Sequence, residues 1–231
     1  MQTIILVGGQ GTRLAKVVAD VPKPMAPVAG RPFLEYLLDY CLEQGLNDFI
    51  FSLGYKSEII KNHFGNKYKN AKIEYAVEDE LLGTGGGILN AMEKLSSTQT
   101  FLVLNGDTLV KFNLQEFYQH HLSASAKLSV LLRRMSDCSR YGEALIKHNV
   151  ITQFDYPGVA HAGLINAGVY LMEPDLFINY NMQKVFSFES DFLYPYVDRI
   201  KPNAFVVDEY FVDIGVPEDY ARFCDEHDYK L

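Results

Sequence analysis

The sequence predicts an α/β fold with a mostly parallel central sheet and helices on both of its faces. Three observations carry this. Short apolar runs rich in β-forming residues end in glycine or polar turns. Segments with helical spacing fall between them. The alternation holds through the first half of the chain, which is the pattern of a parallel sheet built from crossover units. The chain has 231 residues, enough for one sizeable core, and no Pro-, Gly- or Ser-rich linker divides it. A single domain spanning 1–231 is therefore expected, with a regular portion at 1–126 and a less regular β portion at 127–231.

Taken in order, Thr3–Val7 reads as a buried strand running into glycines. Phe33–Gln44 reads as a helix, with Phe33, Leu34, Leu37, Leu38 and Cys41 on one side and Gly45 as its stop signal. Asp48–Leu53 is a strand, Ser57–Phe64 a helix and Lys72–Val77 a strand. Gly85–Leu95 is a helix with an Ile88, Leu89, Met92 and Leu95 stripe, and Thr100–Leu104 is a strand ending at Asn105-Gly106-Asp107. In the second half, Asn113–His121 reads as a helix, and Lys127–Arg134, Glu143–Lys147, Val150–Phe154 and Ile165–Met172 as strands. Pro174 is placed to open a helix, Phe188–Val197 reads as helical, Phe205–Val207 and Tyr210–Asp213 as strands, and Pro217 starts a last helix. His120-His121 reads as a polar surface pair at a helix end.

The net charge of −8 argues against a nucleic-acid partner, because phosphate backbones attract basic surfaces. A small phosphate ligand needs only local positive charge. The three cysteines, Cys41, Cys138 and Cys224, are scattered without a CxxC pair, which fits a reducing compartment better than a disulfide framework or a zinc site. The start MQTIILVGG lacks the basic and long apolar regions of a signal peptide, and no run approaches a membrane span of about 20 apolar residues. A cytoplasmic protein without a membrane partner is expected. A homo-oligomer is compatible with the sequence.

The strongest chemical signal is Leu6-Val7-Gly8-Gly9-Gln10-Gly11-Thr12-Arg13-Leu14. Glycines after a strand let backbone N–H groups approach phosphate oxygens. A Walker loop would end in Gly-Lys-Ser/Thr, whereas Thr12-Arg13 follows Gly11. A dinucleotide loop would carry a third glycine where Leu14 stands, which speaks against a nicotinamide oxidoreductase. Arg13 and the Lys23 of Val21-Pro22-Lys23-Pro24-Met25 add two cations, the second held in a stiff segment by its prolines. Such a loop suits a triphosphate whose leaving pyrophosphate must be neutralised. Asp107 and Asp213 stand at separate strand ends, where each fits either a cap or a Mg2+ ligand.

The segments GGQGTRL and PKPM resemble the signature of the sugar-1-phosphate nucleotidyltransferases, and the likeness runs from Ile4 to Tyr220. It implies a Rossmann-like nucleotidyltransferase fold, with a nucleotide portion at 1–126 and a sugar-phosphate portion at 127–231. It implies that Arg13 grips the triphosphate, that Lys23 meets the phosphate undergoing exchange, and that Asp107 and Asp213 hold Mg2+. Leu6, Gly8, Gly9, Gly11, Thr12, Asn105 and Gly106 join them around the nucleotide. The stretch Glu78-Asp79-Glu80-Leu81-Leu82-Gly83-Thr84 resembles the loop that closes over the base, with Leu81 where the family usually has proline. There Glu78 can accept from the N1 and N2 donors of guanine, and Gly83 and Thr84 line the base. Tyr141-Gly142 and Asn166-Ala167-Gly168 resemble the sugar-side motifs. The family's Glu-Lys-Pro falls on Phe154-Asp155-Tyr156-Pro157, which has no lysine, leaving Arg133, Arg134 or Arg140 as replacement cations. The run PKPMAPVAGRPFLEYLL and the ending DIGVPEDY are most like the branch that uses GTP and a manno-configured heptose 1-phosphate to supply surface glycans. Hexose or N-acetylmuramate 1-phosphates with GTP, UTP or dTTP, and a non-catalytic nucleotide sensor of the same fold, are the alternatives. In every catalytic case the partners are small molecules, an NTP and a sugar 1-phosphate.

Overall fold

The structure, a computed structural model, describes residues 1–9, 21–54 and 56–228. Its elements in chain order are β1 (Thr3–Leu6), a single 3-10 turn at Lys23–Met25, β2 (Pro27–Val28), β3 (Arg31–Pro32), α1 (Phe33–Glu43), β4 (Asp48–Leu53) and α2 (Ser57–Phe64). Then follow β5 (Lys67–Tyr68), β6 (Ala71–Val77), α3 (Gly83–Met92), β7 (Phe101–Asn105), β8 (Thr108–Val110), α4 (Leu114–Ser123), β9 (Leu128–Met135), β10 (Ala144–Lys147) and β11 (Val150–Phe154). The last are β12 (Gly163–Met172), a π-helical turn at Phe188–Leu193, α5 (Val197–Ile200), β13 (Asn203–Val207), β14 (Phe211–Asp213) and α6 (Pro217–Asp228).

Ten strands form one twisted sheet in the order β10-β11-β13-β9-β12-β7-β1-β4-β6-β5. The run β7-β1-β4-β6 is parallel throughout, as the alternation in the first half predicts. β12 enters antiparallel to both β7 and β9, while β13 runs parallel to β9. Strand residues alternate between two cores. Ile5, Phe49, Phe51 and Leu104 face α1, α2 and α4, whereas Ile4, Ile50 and Val103 face α3, the π-helical turn and α5. Both faces are thus covered, and the carboxyl ends of the parallel strands open at one edge.

A third cluster lies beside them. Val28, Phe33, Leu109, Val212, Ile214, Tyr220 and Phe223 pack α6 and the β8/β14 ribbon against α1. The Phe33 and Phe223 rings meet edge to face at 5.1 Å, and Tyr36 meets Phe223 at 5.4 Å. The first turn of α6 carries Glu218 and Asp219, which complement its dipole.

Three expectations are corrected. No helix follows Pro174. The N–H groups of Leu176, Ile178 and Tyr180 instead reach carbonyls three residues back, so consecutive Leu176 and Phe177 both enter the second core through tight turns. The helix read at 188–197 is broken: Pro195 has no N–H to continue it, and the wider π turn points Phe188, Phe192 and Leu193 all inward. His121 is not at the surface. It is 1% exposed and bonded to Ser129 at 2.8 Å and Glu173 at 3.2 Å, and burial pushes its pKa down.

Phe223→Ala should cost about 3–5 kcal/mol of unfolding free energy, as loss of a buried phenyl ring does, and urea denaturation measures it. Wild-type stability in that variant would show that α6 is not held by this ring.

Candidate active site

At the open edge, β1 and β4 leave the sheet nearly in contact. A Cβ on Gly54 would lie 2.8 Å from the Gly8 carbonyl oxygen, and one on Gly8 would lie 3.0 Å from the Gly54 nitrogen. Only two residues without side chains permit this approach. Glu78, at the end of β6, fills the space behind them. Its Oε1 accepts from the Ser52 hydroxyl at 3.2 Å and its Oε2 from the Leu82 N–H at 3.0 Å. Burial raises the Glu78 pKa, and these two donors pull it back. A Cβ on Gly87 would stand 2.8 Å from both Glu78 and Ser52, so the α3 glycine makes room for this carboxylate.

The glycines of α3 have a second use. Gly83 has φ +74°, and a Cβ there would lie 2.5 Å from the Phe186 carbonyl oxygen. The Gly85 N–H donates to that oxygen at 3.0 Å, and the Phe186 N–H donates to Leu82 at 2.9 Å. The chain segment around Phe186 is therefore laid directly on the start of α3.

Together these elements enclose a cavity of about 420 Å³. Of the residues read from sequence, Leu6, Gly8, Gly9, Lys23, Glu78, Gly83, Thr84, Asn105 and Asp107 line it. Gly106 sits just beneath, packed on the Leu6 carbonyl and the Val7 side chain. Gly11, Thr12 and Arg13 lie outside the described residues. Sequence reasoning did not assign Val7, Pro24, Ser52 and Leu81 as lining residues; Val7, Pro24 and Leu81 stand inside the motifs, whereas only the pairing of β4 with β1 and β6 brings Ser52 to Glu78.

One wall is charged. The Lys23 ammonium donates to Asp107 Oδ2 at 2.7 Å. Asp213 is delivered by the β8/β14 ribbon, in which it pairs with Thr108, and the Ile214 N–H donates to the Asp107 carbonyl at 3.0 Å. A Cβ on Gly215 would meet Asp213 Oδ1 at 2.8 Å and the Lys23 ammonium at 2.9 Å, so the three charged groups converge. Among the described residues no group of three or more His, Cys, Asp or Glu side chains converges to hold a metal ion unaided.

The sugar-side motifs do not line this cavity: Asn166-Ala167-Gly168 lies on β12, the strand beside β7, and Tyr141-Gly142 in the connection between β9 and β10. β12 is bulged between Asn166 and Tyr170, and Gly168 has φ +71° there. A Cβ on Gly168 would collide with the Asn105 amide. Asn166 accepts from the Gly168 N–H at 3.0 Å and donates to Tyr170 Oη at 2.8 Å, while Ala167 is buried. Tyr141 packs on Phe211 at 5.9 Å, two residues before Asp213, and Gly142 turns with φ +79° against Asp155. The candidate replacement cations are paired. Arg133 and Arg134 face Asp208 at 3.7 and 3.2 Å, and Arg140 faces Glu218 at 3.8 Å.

A glycine-lined cleft at the carboxyl ends of parallel strands, with a lysine and an aspartate on its wall and a second aspartate, Asp213, close behind them, is a site for a phosphorylated nucleotide. The chain belongs to the nucleotidyl transferase family, which matches residues 2–227. It is 40% identical over 222 residues to the D-glycero-alpha-D-manno-heptose 1-phosphate guanylyltransferase of Aneurinibacillus thermoaerophilus, covering 96% of each chain. It is 40% identical over 224 residues to the protein of that name from Campylobacter jejuni, covering 96% of this chain and 98% of that one. Its fold is similar to that of HddC from Yersinia pseudotuberculosis, with a TM-score of 0.87 and 36% identity over 97% of this chain and 98% of that one. HddC complexed with GMP-PN matches with a TM-score of 0.86.

Gly168→Ala should cost about 1–3 kcal/mol through its left-handed backbone alone, and the added methyl should displace Asn105. Thermal unfolding and a nucleotide-binding titration read the two effects. An unchanged affinity would show that Asn105 has no part in the pocket.

Proposed function

We propose that this chain transfers GMP from GTP to D-glycero-alpha-D-manno-heptose 1-phosphate, releasing pyrophosphate and giving a GDP-heptose. The observation that carries the reading is the Lys23–Asp107 pair on the wall of a glycine-lined cleft, with Asp213 brought beside it by the β8/β14 ribbon. Relatives that carry the same activity in their names, aligned over nearly the whole of both chains, support the choice of substrates.

The reaction is a direct displacement. An oxygen of the sugar 1-phosphate bonds to the α-phosphorus of GTP as the bond from that phosphorus to the α,β-bridging oxygen breaks, and the electron pair leaves on pyrophosphate. The protein supplies position and charge. Gly8 and Gly9 line the cleft without side chains to keep the phosphates from their backbone, and Lys23 would neutralise charge where the bond changes. Arg13 is assigned to the triphosphate by its place in the glycine loop.

The residues fit a divalent cation. The Lys23 ammonium already occupies a position of positive charge between Asp107 and Asp213, and two carboxylates completed by phosphate and water are what Mg2+ prefers. When bound, Mg2+ would withdraw charge from the α-phosphate. Asp107 and Asp213 would hold it. Phosphate oxygens would compete with Asp107 for the lysine.

Glu78 is the guanine selector in this reading. Its ionised carboxylate can accept from the adjacent N1 and N2 donors, a pattern that adenine lacks. The sugar rests on Tyr141, Gly142 and the Asn166-Ala167-Gly168 bulge.

Lys23→Ala, Arg13→Ala, Asp107→Ala and Asp213→Ala should each slow pyrophosphate release by at least about 100-fold. The assay crosses four triphosphates with several sugar 1-phosphates, with and without Mg2+. Nucleotide binding without pyrophosphate release from any pair would overturn the catalytic reading, and a faster hexose or N-acetylmuramate 1-phosphate would move the substrate.

A second prediction uses the raised pKa of Glu78. Because burial disfavours its charged form, the ionised group costs folding stability once pH exceeds its unfolded pKa. Glu78→Gln should therefore melt at or above the wild-type temperature at pH 7. It should lose at least about tenfold in preference for GTP over ATP, as an unmatched polar edge does. In the wild type, GTP affinity should fall as pH drops through the raised pKa. A destabilised variant with intact GTP preference would make Glu78 purely structural.

A further inference from the structure

Glu189 belongs to no motif read from the sequence, yet it stands where the two halves of the site meet. Its half-buried carboxylate accepts three hydroxyl hydrogen bonds: from Thr84 at 2.7 Å and Ser187 at 3.2 Å on Oε2, and from Tyr170 at 3.2 Å on Oε1. Thr84 lines the nucleotide cavity. Its hydroxyl also accepts from the Phe188 N–H at 2.8 Å, so its own proton is committed to Glu189.

On the other side, Tyr170 is 0% exposed and its hydroxyl accepts from the Asn166 amide at 2.8 Å. Asn166 holds the bulge at Gly168, which presses on Asn105, and Asn105 returns to the cavity wall. One carboxylate thus closes a loop of contacts through both binding motifs. This run of contacts is polar and half-buried, and the hydroxyl protons of Thr84, Ser187 and Tyr170 are all committed to one carboxylate, which is the kind of network that fixes geometry rather than adding contact area.

We propose that Glu189 is a positioning residue that couples the nucleotide pocket to the sugar pocket, so that filling either site sets the geometry of the other. Movement of Thr84 on nucleotide binding changes its bond to Glu189. That change is passed through Tyr170 to Asn166. The carboxylate is required because three donors converge on it: a glutamine would turn N–H groups toward one side of the network, and an alanine would leave the buried Tyr170 hydroxyl without its acceptor.

The inference rests on the assignment of the two pockets, and the test separates the two. The affinity of a GTP analogue with a methylene bridge between its α- and β-phosphorus atoms is measured with and without D-glycero-alpha-D-manno-heptose 1-phosphate. In the wild type each ligand should tighten the other by at least about fivefold, at the low end of usual coupling. In Glu189→Ala, Glu189→Gln and Tyr170→Phe the coupling should fall to within about twofold of none. In Tyr170→Phe, which leaves Thr84 and Glu189 joined, the affinity for the nucleotide alone should stay within about twofold of wild type, while KM for the sugar 1-phosphate rises. A purely structural role would lower the melting temperature and leave the coupling intact, and that result overturns the proposal. So does a wild type that turns over without coupling. A wild type that binds both ligands but releases no pyrophosphate overturns the functional reading alone, and one that binds neither overturns both.

Discussion

At the carboxyl ends of β1 and β4 two backbones pass so closely that neither Gly8 nor Gly54 can carry a side chain. The pocket depends on this approach. It narrows the gap between β1 and β4 to backbone thickness, and Gly8 and Gly9 line the cavity there. It also leaves a single direction in which the β6 carboxylate of Glu78 can point, against Ser52 and the Leu82 N–H. The same economy recurs in α3, where Gly87 clears space for Glu78 and Gly83 for the Phe186 carbonyl. Helix propensity is given up there, at up to about 1 kcal/mol per glycine. The return is a helix that can be approached from both sides, by a carboxylate within the pocket and by a backbone segment outside it.

Charge is handled locally. A chain of net charge −8 repels a triphosphate at long range, yet short contacts decide binding once ions in solution screen distant charges. Lys23 sits beside Asp107 and within reach of Asp213, and its side chain is only 15% exposed. Its placement is over-determined. The flanking prolines stiffen the segment, the Met25 side chain is buried in the first core, and the Ala26 N–H donates to the Lys23 carbonyl. Both aspartates are fixed by one two-stranded ribbon: Asp107 immediately precedes β8 and its carbonyl accepts from the Ile214 N–H, and Asp213 ends β14 opposite Thr108.

The parallel block was legible because its signals are local: apolar runs, helical spacing and glycine stops between Thr3 and Asn105. Nine of the lining residues between Leu6 and Asp107 were legible too, since they cluster in short motifs at strand ends. What escaped had non-local causes. Ser52 is an unremarkable polar residue in an apolar strand, and only strand order brings it to Glu78. His121 looked like half of a surface pair, and its burial follows from Ser129 and Glu173 waiting on β9 and after β12. Pro174 carries a helix-start signal that lost to the need to bury Leu176 and Phe177 together. The run Gly85-Gly86-Gly87 did hold an unread clue. Three glycines within an amphipathic helix imply that other backbone or a buried side chain presses on it, and here both do.

The stretch that the family resemblance assigns to the sugar phosphate departs from the family pattern. Phe154-Asp155-Tyr156-Pro157 offers no cation, and the arginines nearest in sequence are already matched to acids. Those matches differ in kind. Arg133 is 20% exposed and locked between Asp208 and its own strand, whereas Arg140 and Glu218 are 58% and 73% exposed and stand 3.8 Å apart. Exposed pairs of that sort contribute little net stability, so exchanging a carboxylate for phosphate oxygens costs little. Arg140 immediately precedes Tyr141-Gly142, and Glu218 lies five residues beyond Asp213. Arg134 and Asp208 are as exposed, at 60% and 69%, but of the two exposed arginines it is Arg140 that adjoins the Tyr141-Gly142 motif in sequence and has the longer ion-pair distance. The absence of a lysine from that stretch therefore leaves exposed arginines whose carboxylate partners phosphate oxygens could replace at little cost.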